Sequence, residues 1–184
     1  MPSYHFPAEA GEALPDTRPE TFGPEAIAAL LDRLGLAHDG VRITRQGDTV
    51  TLEGRVADAA AEELLVLATG NLAGIGQVRD QLTTGHAPGL LDSLGAFARL
   101  PAGSASTEAA ETAVHAAQPE AGTRFGPAGS LFHAMQPGES LADLAARHYG
   151  DPAAGERRLL EANAAILRNA GSPGPGLVLR IPPK

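Results

Sequence analysis

The side chains that most often carry enzyme chemistry are present in this chain but are poorly arranged for it. The histidines His5, His38, His86, His115, His133 and His148 are scattered. None forms a His-x-x-x-His pair, which on a helix would put two imidazoles on one face for a metal. Gly138-x-Ser140-x-Ala142 has the outline of a nucleophile elbow, yet Ser140 followed by Asp143 reads as a helix cap, and the sequence places no His and acid to activate the hydroxyl. Gly74-x-Gly76 lacks the third glycine of a dinucleotide loop and opens a strand rather than a helix. Glu62-Glu63 reads as a solvated helix face. With no cysteine in the chain, disulfides, thiolate catalysis and Cys-based zinc sites are excluded. A non-enzymatic role is therefore expected.

What remains is backbone chemistry. Gly70, Gly74 and Gly76 cluster where a helix ends. Glycine tolerates positive φ, so irregular backbone there can turn several carbonyls inward. A helix C-terminus already offers unpaired carbonyls and a partial negative charge. The plainer reading of the same residues is an ordinary cap, in which Gly70-Asn71 stops the helix in the left-handed conformation. Both readings stay open at this point.

The elements that must position that turn follow from periodicity. Ile27, Leu30, Leu31 and Leu34 recur at helical spacing over residues 24–34, with Pro24 at the first position and Gly35 as the stop. Val41 to Arg45 and Thr49 to Gly54 alternate as strands around Gln46-Gly47-Asp48, which predicts a hairpin. Asp58 is a candidate N-cap for a helix over 57–69, with Leu64, Leu65, Leu67 and Ala68 as its apolar part. Residues 75–83 read as a third strand with Val78 and Leu82 inward. Beyond them, 85–130 is dominated by Ala, Gly, Pro, Ser and Thr and reads as a flexible linker, with a short amphipathic helix around Leu90 to Leu100. In the last part, Leu131 to Met135 predicts a strand, and Ser140 to Asp143 a capping box opening a helix. Asp151-Pro152 opens a second helix carrying Leu159, Leu160 and Ile166, and Leu177 to Pro182 forms a closing strand. The expected class is α+β, with an αββαβ unit over 24–84 and a βααβ unit over 131–184. A leading segment, 1–23, is available to dock on the first unit.

Composition agrees with two small domains. The chain has 184 residues, 43% hydrophobic but only 4% aromatic, so its cores must be aliphatic. A formal charge of −8 repels phosphate backbones, and nucleic-acid binding is not expected. No stretch approaches the ~20 apolar residues of a membrane span. The start, with Glu9 and Glu12 and no basic or apolar run, does not read as a signal peptide. A cytoplasmic monomer is the expectation.

Two resemblances sharpen this. Pro137-Gly138-Glu139-Ser140-Leu141, Leu144-Ala145, His148-Tyr149-Gly150, Leu160-Glu161-Ala162-Asn163 and Gly176 to Pro182 stand in the order and nearly the spacing of a LysM module. The first unit resembles a BON domain. Together, with the opening Phe6-Pro7-Ala8-Glu9-Ala10-Gly11-Glu12 and the turn Gly70-Asn71-Leu72-Ala73-Gly74-Ile75, the chain resembles the bacterial BON–LysM potassium-binding proteins. It departs from them in a longer linker, in Pro7 for an aliphatic residue, and in His133 where an aromatic is common.

The resemblance implies a K+ site built from main-chain carbonyls, which can replace the hydration shell of this large monovalent ion. The implied carbonyls are those of Pro7, Ala10 and Glu12 from the start of the chain and Gly70, Leu72 and Ile75 from the turn. Ion binding would order the N-terminal segment on the BON-like unit. The LysM likeness implies an alternative partner, an N-acetylglucosamine-containing glycan such as peptidoglycan. That ligand would lie between Gly138, Glu139, Ser140 and Leu141 on one side and Ile166, Leu167 and Arg168 on the other. The LysM-like unit used only for stability or for contact with another protein, and an envelope or phospholipid role for the BON-like unit, are the remaining alternatives.

Overall fold

A computed structural model of the chain describes residues 2–9, 11, 13, 14, 22–85, 123–170 and 173–184. The expected helix around Leu90 to Leu100, and most of the expected linker, lie outside them. The architecture is α+β.

The first unit is a four-stranded sheet covered on one face by two helices. Strand β1 (Ser3–His5) precedes α1 (Pro24–Leu34), which begins on a proline and ends at Gly35, φ 71°. A proline in the first helical turn sacrifices no intrahelical hydrogen bond. The stripe Ile27, Leu30, Leu31 and Leu34 is buried, as its spacing predicts. Strands β2 (Val41–Gln46) and β3 (Thr49–Val56) pair antiparallel as a hairpin through Gly47, φ 64°. The chain then crosses over through α2 (Ala59–Gly70) to β4 (Gln77–Thr84), parallel to β3. Asp58 caps α2 by accepting the Ala61 N–H.

The sheet order is β1-β4-β3-β2. β1 was not foreseen as a strand. It closes the outer edge of β4, with Tyr4 opposite Val78 and His5 opposite Gln77. The first unit is thus βαββαβ rather than αββαβ.

The second unit is an antiparallel sheet β5-β6-β7 with three helices. It comprises β5 (Thr123–Phe125), β6 (Leu131–Ala134), α3 (Leu141–Tyr149), α4 (Pro152–Ala162), α5 (Ala164–Ala170) and β7 (Val178–Ile181). β5 falls at the end of the segment read as linker. The single helix expected after Asp151 is two helices. Its break is Asn163, whose side chain is drawn off to β7: the amide donates to Arg180 O at 2.7 Å and accepts from Arg180 N at 2.7 Å. Leu160, expected in the core, is 44% exposed.

α2 corrects two further expectations. It packs on β3 and β4 with one side and on β7 with another, so Leu65, Val66, Leu67 and Ala68 are all buried. A helix apolar on every side is one covered on every side. Glu62 and Glu63, expected in solvent, are therefore buried too, Glu63 completely. Its carboxylate is fully engaged. Oε1 accepts the Ala128 N–H at 2.8 Å, and Oε2 accepts the Ser130 hydroxyl at 2.7 Å and the Arg180 Nε–H.

At the other end of α2, Gly70-Asn71 does not form a left-handed cap. Asn71 has φ −80°, and positive φ appears only at Gly74, 86°. Asn71 instead reaches the second unit, donating to Val178 O and accepting from Val178 N, both at 2.8 Å. Tyr4 packs on Phe132, ring centroids 5.2 Å apart, and α5 packs on α1.

Removing one partner from a buried, hydrogen-bonded charge pair costs far more than the pair contributes net. Glu63→Ala is expected to lower unfolding free energy by about 3–5 kcal/mol, and Asn71→Ala, which strands one peptide unit, by about 1–3 kcal/mol. Urea titrations followed by far-UV circular dichroism check both.

Candidate functional site

The N-terminal segment and the turn after α2 run side by side, stitched by backbone. Phe6 N–H donates to Gly76 O at 3.0 Å, and Gly74 N–H donates to Ala8 O at 2.9 Å. Further along β4, Asp80 N–H donates to Pro2 O at 3.1 Å. Two glycines make the approach possible. A Cβ on Gly70 would run into the Phe6 ring, and one on Gly11 into the Leu72 backbone. The turn itself is tight: Leu72 N–H donates to Thr69 O at 3.3 Å and Ile75 N–H to Leu72 O at 3.1 Å. The side chains of Leu72 and Ile75 are buried and anchor it.

Of the six residues implied as K+ ligands, Gly70, Leu72 and Ile75 lie in this turn. Pro7 lies between the two residues that lace the N-terminal segment to it, Phe6 and Ala8. Ala10 and Glu12 lie outside the described residues. The Leu72 carbonyl already accepts one hydrogen bond, but a carbonyl oxygen has two lone pairs and can take a second partner. Outside the regular ladders, no hydrogen bond from the described residues reaches the carbonyls of Pro7, Gly70 or Ile75.

A fixed cation borders the same turn, and sequence reading missed it. Arg45 Nη2 donates to Gly74 O at 3.3 Å, Nη1 donates to Phe22 O at 2.8 Å, and the guanidinium lies 3.9 Å from the centre of the Phe22 ring. Burial pulls its pKa down and Asp48 pushes it back. Arg45 ties residue 22, at the start of α1, to the turn and stands beside the implied ligand set without including any of its members.

The residues implied for glycan divide differently. Gly138 and Glu139 line an open groove of about 730 Å3 with His133, Gln136, Pro137, Asp143 and Arg147. Ser140 is taken up by its capping box, accepting the Asp143 N–H at 3.1 Å. Leu141, Ile166 and Leu167 are buried. Arg168 is exposed and donates to Ala164 O of its own helix at 3.2 Å. The two walls do not meet in this groove.

Its floor is polar: Glu139, 5% exposed, has Oε2 2.7 Å from His133 Nε2 and accepts Gln136 N–H at 3.0 Å, while Oε1 accepts from Arg147 at 2.9 Å. Burial works to raise the Glu139 pKa, but the bonds from His133 and Gln136 and the charges of His133 and Arg147 outweigh it and hold the carboxyl below its ordinary range. Among the described residues no group of three His, Cys, Asp or Glu side chains is arranged to hold a metal, and no helix is long and apolar enough to cross a membrane.

Residues 41–85, from β2 to the end of β4, match the family described as BON-like domain. The first unit therefore contains a BON-like domain, and the match leaves α1, β1 and residues 123–184 outside it. No curated protein matches the chain.

Gly70→Ala is expected to lift Phe6 and the strand before it from the turn while leaving the β2–β3 hairpin intact. The loss would appear in amide exchange as protection falling by at least tenfold at Phe6 and Gly74 and unchanged at Ile43 and Leu52.

Proposed function

We propose that this chain binds a potassium ion through main-chain carbonyls contributed by its N-terminal segment and by the turn that follows α2. The reading rests on the resemblance to BON–LysM potassium-binding proteins. The observation that supports it is the lacing of Phe6 and Ala8 to Gly76 and Gly74, which brings the implied stretches into contact although they are more than sixty positions apart. A carbonyl site suits K+ because the ion's hydration shell is loosely held and oxygen dipoles can replace it without a compensating carboxylate. Arg45 beside the turn adds a charge that opposes any divalent ion more strongly than a monovalent one. In this reading the second unit is the docking partner of α2.

The alternative, glycan binding by the LysM-like unit, draws support from the groove at Gly138 and Glu139. The burial of Leu141, Ile166 and Leu167 weighs against it, because three of the seven implied residues are already packed into the protein.

Isothermal calorimetry with KCl against NaCl at equal ionic strength tests the proposal. Selective heat with K+ is expected, together with amide shifts confined to residues 6–14 and 69–77 and loss of both on deletion of residues 1–12. Equal heats for the two salts, or a deletion variant that keeps its K+ affinity, would remove the carbonyl set. Retention of the protein by purified sacculi or by anionic vesicles without a K+ response would move the function to the envelope.

A further inference from the structure

Beneath β1 the structure buries two carboxyl groups that no cation among the described residues pairs with. Asp80 lies on the inward face of β4 between Val78 and Leu82 and is 2% exposed, while Glu62 of α2 is 8% exposed. Asp80 Oδ1 accepts the Leu82 N–H at 2.9 Å, and Oδ2 is enclosed without a donor among the described residues. The Glu62 carboxyl lies within hydrogen-bonding reach of the Asp80 side chain.

Among the described residues, the groups around the pair offer no relief. From α2 comes Glu63, whose charge is met by Arg180 of β7. From β1 comes the phenol of Tyr4, and from β3 the apolar Val50 and Leu52. Two carboxylates this close resist ionising together, because Asp80, cut off from water, would lose its hydration and each would repel the other.

We propose that Glu62 and Asp80 form a proton-binding site in which a single shared proton keeps β1 seated on β4, and that release of this proton to solvent loosens the N-terminal strand. With the proton in place, one carboxyl donates to the other and the site carries a single negative charge. Without it, two buried negative charges face each other under Tyr4, and the arrangement that relieves them fastest is admission of water along the three-residue edge strand. The hydrogen bond from Asp80 N–H to Pro2 O is the point at which the strand and the site meet.

Ionisation behaviour agrees. Burial, then the hydrogen bond and charge of Asp80, then the charge of Glu63 raise Glu62 from 4.5 to about 7. Burial, then Asp80, Glu62 and Glu63 push the Tyr4 phenol up to about 12. The folded form thus holds the Glu62 proton more tightly than the unfolded chain does. That stabilisation is complete below pH 4.5 and is lost as pH rises through about 7. The proton site stands independently of the ion reading. Only one consequence rests on that reading: the segment carrying Pro7 would bind K+ more weakly above neutral pH.

Carbon-13 NMR of the side-chain carboxyls, with proton NMR in heavy water and no K+ present, tests the site between pH 5 and 9. Glu62 Cδ is expected to titrate near pH 7, and the Hα–Hα contacts between β1 and β4 to disappear over the same range. In Glu62→Gln, whose amide donates permanently, those contacts should persist to pH 9. In Asp80→Asn the Glu62 midpoint should return toward 4.5, a readout that survives if the first variant folds poorly. A wild-type Glu62 midpoint below 5, or strand contacts unchanged at pH 9 after Glu62 has titrated, would overturn the proposal. Because K+ is absent throughout, either result leaves the ion reading untouched.

Discussion

The structure depends on how α2 is covered. A helix lying between a sheet and a second unit keeps little solvated surface, so most polar groups on its covered sides need partners inside the protein. Glu63 finds the Ala128 N–H, the Ser130 hydroxyl and Arg180, and Asn71 finds the Val178 peptide. These partners come from β7 and from the turn before β6, not from the unit to which α2 belongs in sequence. The two units therefore have a defined register, fixed at both ends of one helix by bonds that are satisfied in only one relative placement. Apolar packing such as Tyr4 on Phe132 adds area to this contact but tolerates sliding, whereas the polar anchors do not.

The same anchors solve a problem for β7. An edge strand offers unpaired peptide groups on one side and invites pairing with foreign strands. On β7 those groups belong to Val178 and Arg180, since Leu177 and the strand's other face are turned toward β6. Each is met by the side chain of an asparagine, Asn71 from the first unit and Asn163 from the junction of α4 and α5. A primary amide presents a donor and an acceptor with nearly the geometry of a peptide, so the two asparagines stand in for a fourth strand. Asn163 does this at the expense of helix continuity, which is why α4 and α5 are separate.

What the sequence makes legible is what is local. The stripe of α1, the β2–β3 hairpin and the Ser140–Asp143 capping box each depend on residues a few positions apart, and each is found where its spacing puts it. β1 is not legible because three residues, Ser-Tyr-His, carry no alternation, and their pairing partner is decided by a strand more than seventy positions away. Three buried carboxylates were within reach of the pattern. Alternation that turns Val78 and Leu82 inward must turn Asp80 inward as well. Likewise the unbroken apolar run Leu64 to Ala68 winds fully round the helix, so Glu62 and Glu63 could not both lie on a wet side. Proximity of the N-terminal segment to the turn after α2 had no signal in periodicity at all and rested on resemblance.

The dependence of α2 on the far end of the chain has a consequence for how the protein is made. A ribosome delivers residues 1–85 first, and with them every strand of the first sheet, yet the flank of α2 that meets β7 and the carboxylate of Glu63 stay uncovered until residues 128–180 follow. During that interval the nascent unit presents an apolar helical surface around a charge it has not yet matched, the kind of surface that chaperones recognise and that neighbouring nascent chains can aggregate upon. The order of the two units along the chain thus sets the length of a vulnerable period in biosynthesis, and each residue between β4 and β5 lengthens it.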